Sequence, residues 1–134
     1  MYKIKLCGQR PDFRVMIDLL YGFGHNVDTD GNSIPVNTRD WTKLYMQDRE
    51  STTPRLEIFP QEEFMCCFSK DQRSQELASV YLYEYCRTQI YFENECLSVK
   101  QIERMLNKYP QEFKRANASI WHQSSDENPY PNLS

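Results

Sequence analysis

The chain has 134 residues, which is enough for one hydrophobic core without help from disulfide bonds or a structural metal. Hydrophobic residues make up 40% of it and charged residues 26%, a composition typical of a globular protein rather than a disordered or fibrous one. The 16 basic and 19 acidic residues are spread along the chain and give a net charge of -3, so the clustered positive charge of a phosphate-backbone binder is missing and we expect no direct contact with nucleic acid.

The first part of the sequence predicts a strand, a helix and a hairpin. Alternating apolar residues over positions 1–7 indicate a half-buried strand, and the apolar spacing after Pro11 indicates a helix that ends in the region 22–24. The Asp30-Gly31 pair between short β-compatible flanks predicts a hairpin turn, because Gly accepts the positive φ of a tight turn.

The middle of the sequence predicts three more strands. Residues 41–48 fit either a helix face or a strand, and we favour the strand because of their Trp, Thr and Tyr content. Residues 55–60 and 64–69 are apolar and separated by a polar segment, which indicates an antiparallel hairpin.

The remaining periodic segments predict two helices with a strand between them. A stripe of apolar residues after Asp71 indicates a helix that ends near Arg87 and Thr88, and residues 89–95 support one more strand. A capping-box pattern precedes the apolar stripe of residues 98–109 and predicts the start of a further helix.

This order predicts one α+β domain over residues 1–122, with a single antiparallel or mixed sheet and two or three helices packed mainly on one face. It is compatible with a ferredoxin-like (split βαβ) variant and with other α+β arrangements. Residues 123–134 are polar and contain prolines, so we expect a flexible C-terminal tail. No apolar run approaches membrane-spanning length and the start lacks the pattern of a signal peptide, so we expect a cytoplasmic protein without membrane contact.

The cysteines are odd in number and irregularly spaced, which favours reduced thiols over a disulfide framework. Cys66 and Cys67 are adjacent in a predicted strand, so their side chains face opposite sides of the sheet and cannot join one metal. Their neighbours are apolar, and we interpret both thiols as core packing. We therefore expect neither a metal nor another cofactor. The five cysteines are Cys7, Cys66, Cys67, Cys86 and Cys96.

Two more specific sites stay open as alternatives. A cysteine enzyme would use Cys7, which precedes a predicted helix, and would need His25 or His122 as its base. The segment Asn26–Asn37 begins like an EF-hand loop but has Asn37 where the bidentate Glu is required, so we interpret it as a polar hairpin turn, with a weak cation site left open.

Because no catalytic motif is assembled in the sequence, we expect a non-enzymatic protein-binding inhibitor that occludes a basic partner. Immunity proteins, antitoxins and phage anti-defence proteins are of this kind, and the partner would be a toxin or a nucleic-acid-handling complex in bacteria or phage. A small-molecule-sensing dimeric regulatory domain is a further alternative, and the oligomeric state is open. The candidate partner-binding residues are Asp28, Asp30, Trp41, Glu62, Glu63, Tyr83, Tyr91, Glu93 and Glu95.

Overall fold

The computed structural model describes residues 1–86 and 89–131, and these residues form one antiparallel sheet of seven strands with helices on one side. The strands are β1 (Tyr2–Lys5), β2 (Val27–Gly31), β3 (Leu44–Asp48), β4 (Leu56–Gln61), β5 (Phe64–Phe68), β6 (Ile90–Phe92) and β7 (Glu95–Cys96). The same residues contain the helices α1 (Phe13–Leu20), α2 (Gln72–Cys86), α3 (Val99–Leu106) and α4 (Pro110–Asn117), followed by a 3₁₀ turn (Ile120–Gln123).

The strand order across the sheet is β2-β3-β4-β5-β1-β6-β7, and every neighbouring pair is antiparallel. The α+β class is confirmed, and the helices exceed the expected two or three because α4 follows α3 directly. β1, α1, β4, β5, α2 and β6 follow the β-α-β-β-α-β connectivity of a split βαβ sheet. β2 and β3 widen this sheet at one edge, and β7 widens it at the other.

The buried core lies between the helices and one face of the sheet. Ile4 in β1 is level with Met65 in β5 and with Ile90 in β6, and each of the three is at most 1% exposed. Helix α2 packs across these strands. Burying a side chain of this size contributes about 1.5–3 kcal/mol to stability, so these positions determine which face the helices cover.

Local signals place the helix starts. Asp12 is the N-cap of α1, because its carboxylate accepts a hydrogen bond from the Arg14 backbone N–H. The predicted capping box of α3 is confirmed, with Ser98 and Gln101 each accepting a hydrogen bond from the other's backbone N–H. The predicted end of α2 near residues 87–88 lies outside the described residues. No helix among the described residues combines the length and the apolar character needed to cross a membrane.

The predicted hairpin turn at Asp30-Gly31 is wrong, and the predicted strand within residues 41–48 is confirmed as β3. Both residues of the pair lie inside β2, paired with β3. A long connection follows instead, and Asn32 closes it by accepting hydrogen bonds from the backbone N–H groups of Thr42 and Lys43, each at 3.0 Å. Gly31 is required for a different reason, since a Cβ there would lie 2.2 Å from the Lys43 carbonyl oxygen.

A buried ion pair joins the start of α1 to the C-terminal segment. The Arg14 guanidinium donates two hydrogen bonds to the fully buried Asp12 carboxylate, at 2.9 and 2.7 Å. Ser124 Oγ donates a third to the same carboxylate at 2.6 Å, and the guanidinium lies 3.9 Å from the centre of the Trp121 ring. Arg14 also donates to the Pro129 carbonyl at 2.8 Å. These contacts hold the described part of the tail against α1, and its flexibility stays a prediction.

We predict that Ser124→Ala lowers the free energy of unfolding by roughly 1.5–3 kcal/mol, because a hydrogen bond to a buried charged carboxylate is lost. Urea unfolding followed by circular dichroism measures this change. Ser125→Ala is the matched control, since Ser125 Oγ only accepts an exposed hydrogen bond from Asn128. Equal stability of the two variants would contradict the structural role of Ser124.

Candidate functional site on the helix-free face of the sheet

Five aromatic side chains lie on the face of the sheet that no helix covers within the described part of the chain. Because side chains alternate between the two faces of a strand, residues next to the buried core positions point to this opposite face. Phe68 is 37% exposed and the other four are partly exposed. We call this surface the aromatic face; its members are Tyr45, Phe59, Phe64, Phe68 and Tyr91.

The centre of the aromatic face is a continuous row across four strands. In the sheet register Phe59, Cys66, Lys3 and Tyr91 are successive neighbours. The ring centres of Phe64 and Tyr91 are 5.6 Å apart with an interplanar angle of 89°, an edge-to-face arrangement that aromatic pairs favour. The rings therefore form a preformed surface rather than a set of isolated side chains, and Lys3 and Lys5 of β1 lie between them.

The adjacent cysteines divide between the two faces as expected, and both are buried. Cys67 lies in the core, where burial raises the pKa of its thiol to about 12. Cys66 lies on the helix-free side, yet it is fully buried within the aromatic face, and burial raises the pKa of its thiol. Neither thiol is activated as a nucleophile in this arrangement.

Five exposed carboxylates border the aromatic face on three sides. Asp28 and Asp30 lie on its β2 edge, in register with Gln47 and Tyr45 of β3. The other three sit in the β4–β5 and β6–β7 turns, which the register places at opposite ends of the sheet. The remaining candidate, Glu95, pairs with Phe92 and therefore points to the helix side. We call the set of five the acidic border; its members are Asp28, Asp30, Glu62, Glu63 and Glu93.

Several of the border carboxylates have cationic neighbours and others do not. Asp28 lies 3.5 Å from the Arg49 guanidinium, and Glu93 pairs with the N-terminal amine. No ion pair of Glu62 or Glu63 occurs among residues 1–86 and 89–131. Exposed ion pairs contribute little to stability, so the border charges are available to an approaching partner.

The three candidate aromatic residues separate in the structure. Tyr91 lies on the aromatic face, and its role in binding a partner stays a prediction. Tyr83 is partly buried and lines a groove between α2 and α3 on the helix side. Trp41 is not a surface residue: it is 1% exposed, and its indole Nε1 donates to the Pro11 carbonyl at 2.7 Å, so it belongs to the core. A buried Trp needs such an acceptor for its N–H, and the loop before α1 provides it.

Four members of the aromatic face were missed by the sequence reasoning: Tyr45, Phe59, Phe64 and Phe68. A signal was present, because Phe59 follows the core residue Ile58 and must therefore point away from the core. The alternation alone does not reveal whether the second face is covered.

The alternative sites receive no assembled geometry among the described residues. Cys7 is exposed, and the ring nitrogens of both histidines contact other groups: His25 contacts Asp48 and Glu50, whereas His122 contacts Tyr85 and the Ala116 carbonyl. The cysteine enzyme stays an untested alternative.

The second alternative is a cation site in the segment Asn26–Asn37. No cluster of three or more His, Cys, Asp or Glu side chains suited to a metal ion occurs in the described ranges. The segment Asn26–Asn37 contains β2 instead of the continuous ligand loop of an EF-hand.

A polar cluster at the end of β3 anchors the loop that follows it. Asp48 Oδ2 accepts a hydrogen bond from Ser51 Oγ at 2.7 Å, and Oδ1 accepts one from the Glu50 backbone N–H at 2.8 Å. His25 Nε2 lies 2.7 Å from the same Oδ1. The Ser51 hydrogen bond first, and then the Glu50 backbone, lower the pKa of Asp48.

Comparison with protein-family models, with curated proteins and with solved structures finds no match to this chain.

Because Cys66 is buried within the aromatic face, its thiol should react slowly with added reagents. In native protein treated with a maleimide, Cys7 and Cys96 should be labelled first, because both are exposed. Phe64→Ala should accelerate labelling of Cys66 without accelerating that of Cys67, which lies on the other face. Mass spectrometry of proteolytic peptides measures each site, and equal acceleration of both thiols would indicate general unfolding instead.

The cluster around Asp48 predicts acid lability. Its folded-state pKa is lowered, so its ionised form stabilises the fold above the ordinary pKa of an aspartate, and this contribution is lost as the pH falls through the folded-state value. Asp48→Asn should therefore lose less unfolding free energy than the wild type between about pH 5 and pH 2. Urea titrations at several pH values measure the difference. Thr52→Ala, in the same loop, should keep the wild-type dependence.

Proposed function

We propose that the protein is a non-enzymatic binding module that occludes a basic partner protein with the aromatic face. The observation that carries the proposal is the position of five partly exposed aromatic side chains on a helix-free sheet face, surrounded by exposed carboxylates. Monomeric soluble proteins rarely expose a contiguous apolar patch with a polar rim unless it binds something.

The two parts of this surface have different tasks. Phe64 and Tyr91 hold one another in place, so little conformational entropy is lost when a partner covers them. The acidic border attracts a positively charged partner, accelerates the encounter and disfavours acidic proteins. The aromatic face supplies most of the affinity and the border supplies selectivity.

The proposal extends to an inhibitor of the immunity-protein or anti-defence kind, acting in the cytoplasm. All five cysteines are free thiols, which suits a reducing compartment. Occlusion needs a surface that is complementary to the partner and does not need a catalytic group, and the aromatic face is the candidate for this surface. The basic partner is a toxin or a protein of a nucleic-acid-handling complex.

Affinity capture with matched variants tests the proposal. Tagged wild-type protein should retain one basic protein in stoichiometric amount from lysate of its native cells. Phe64→Ala and Tyr91→Ala should each weaken binding of the purified partner by about 2 kcal/mol, or roughly thirtyfold in Kd, as central aromatic residues of interfaces do. Isothermal calorimetry measures these constants.

Phe23→Ala is the matched control, because Phe23 is 61% exposed but lies in the loop after α1, away from the aromatic face. It should bind like the wild type. The double variant Glu62→Lys and Glu63→Lys should slow association and reduce its salt dependence. The proposal is wrong if no basic protein is retained, or if Phe64→Ala and Tyr91→Ala bind the partner as tightly as Phe23→Ala does.

A further inference from the structure

Strand β2 forms an open edge of the sheet. It is the last strand in the order and pairs only with β3 in the described structure. In antiparallel pairs, residues that exchange hydrogen bonds alternate with residues whose N–H and C=O groups point away from the partner strand. The Arg49 N–H donates to the Asn26 carbonyl at 3.0 Å, so the even-numbered residues of this segment bond to β3. The peptide groups of Val27 and Thr29 therefore point outward.

These outward peptide groups have no hydrogen-bond partner in the described ranges of the chain. Such a row can accept an additional strand, which is one of the recurring ways in which proteins bind extended peptides. An exposed edge by itself does not indicate what it binds. The surroundings of β2 do, because a cavity adjoins the edge on each face of the sheet.

The cavity on the helix side has an apolar part and a polar part. It has a volume of about 220 Å³, and Phe13, Val36 and Leu44 form its apolar part, whereas Thr29, Asp30 and Gly31 of β2 belong to its polar part. Ser33 also lines it, and its hydroxyl oxygen is buried without a hydrogen-bond partner among the described residues.

The cavity on the opposite face contains two aspartates, one arginine and one aromatic ring. It has a volume of about 280 Å³ and is lined by Asp28, Thr29, Asp30, Tyr45, Gln47 and Arg55. The two aspartates are exposed, and they point to the same face because they are two residues apart in a strand. A strand added at this edge would place every second side chain beside them.

The charges select the kind of strand. A second copy of β2 is disfavoured, because like charges directly opposite one another destabilise a strand pair. A strand with Lys or Arg beside Asp28 and Asp30 is favoured, because opposite charges next to one another stabilise a strand pair. The existing contact of Asp28 with Arg49 is long, at 3.5 Å, and both side chains are more than half exposed, so it is readily exchanged.

We propose that the edge of β2 binds an extended peptide by strand addition, with basic residues at alternate positions beside Asp28 and Asp30 and an apolar residue between them in the cavity of Phe13, Val36 and Leu44. This inference rests on the proposed function, since the peptide would be an exposed segment of the basic partner. It adds a second contact next to the aromatic face and names the sequence pattern that the contact recognises.

A synthetic peptide tests the inference directly. A fluorescein-labelled peptide of alternating Lys and Val residues should bind the full chain in fluorescence anisotropy. A peptide of the same composition, with all Lys residues before all Val residues, should bind at least roughly tenfold more weakly. As a strand it cannot place all its Lys side chains beside the aspartates on one face and all its Val side chains on the other face. Hydrogen exchange followed by NMR should show protection of the Val27 and Thr29 amides only with the alternating peptide.

The protein variants are conservative and exposed. The double variant Asp28→Asn and Asp30→Asn should weaken binding of the alternating peptide roughly tenfold, as the loss of two opposite-charge cross-strand contacts predicts. Glu103→Gln, an exposed carboxylate in α3 on the helix side, is the matched control and should bind like the wild type.

The outcomes separate this inference from the proposed function. Strand addition is wrong if both peptides bind equally well, or if amide exchange at Thr29 does not change when the alternating peptide is added. It is also wrong if the Asp28→Asn and Asp30→Asn variant self-associates but keeps full affinity for the peptide. In that case the two aspartates would serve only to keep the β2 edges of two copies apart. Capture of a partner that depends on Phe64 and Tyr91 would still support the aromatic face. Peptide binding without such capture would support the edge and overturn the aromatic face.

Discussion

The register of β1 between β5 and β6 is the constraint on which the rest of this structure depends. Because side chains alternate strictly along a strand, the register that places Ile4 in the core also places Lys3 on the helix-free face of the sheet. A shift by one residue would exchange the two sets and bury lysine beneath α2. The core and the aromatic face are therefore two results of one pairing.

The aromatic face exists because the helices all lie on the opposite side. Antiparallel sheets often leave one face to water, and that face is then usually polar. Here Phe59, Phe64 and Phe68 occupy positions where polar residues would suffice for folding. Their placement contributes little to the core, which makes binding the simplest physical reason for them. The open β2 edge continues this surface, so a partner can contact the face and the edge together.

A second set of contacts holds the C-terminal segment against the start of α1. The Asp12–Arg14 pair is buried, and a buried charge is expensive unless its hydrogen bonds are satisfied. Ser124 and the Pro129 carbonyl supply two additional partners, and Trp121 covers the guanidinium, although Nη1 of Arg14 has no hydrogen-bond partner among the described residues. The C-terminal segment is thus part of the environment that makes the charge pair tolerable, although its own sequence is polar and has few apolar anchors.

The sequence by itself determined what depends on neighbours along the chain. The period of two in β1, the apolar stripe of α2 and the capping box at Ser98 are local patterns, and each element formed where its pattern predicted. The tertiary structure alone decided which surfaces remain open. The sequence predicts a surface position for Trp41, but this residue is buried and its N–H donates to the Pro11 carbonyl. Phe59 is one more apolar residue in the sequence, and the pairing of β4 with β5 shows that its side chain points away from the helices. Burial is a property of long-range packing, and no local pattern specifies which face of a sheet the helices will cover.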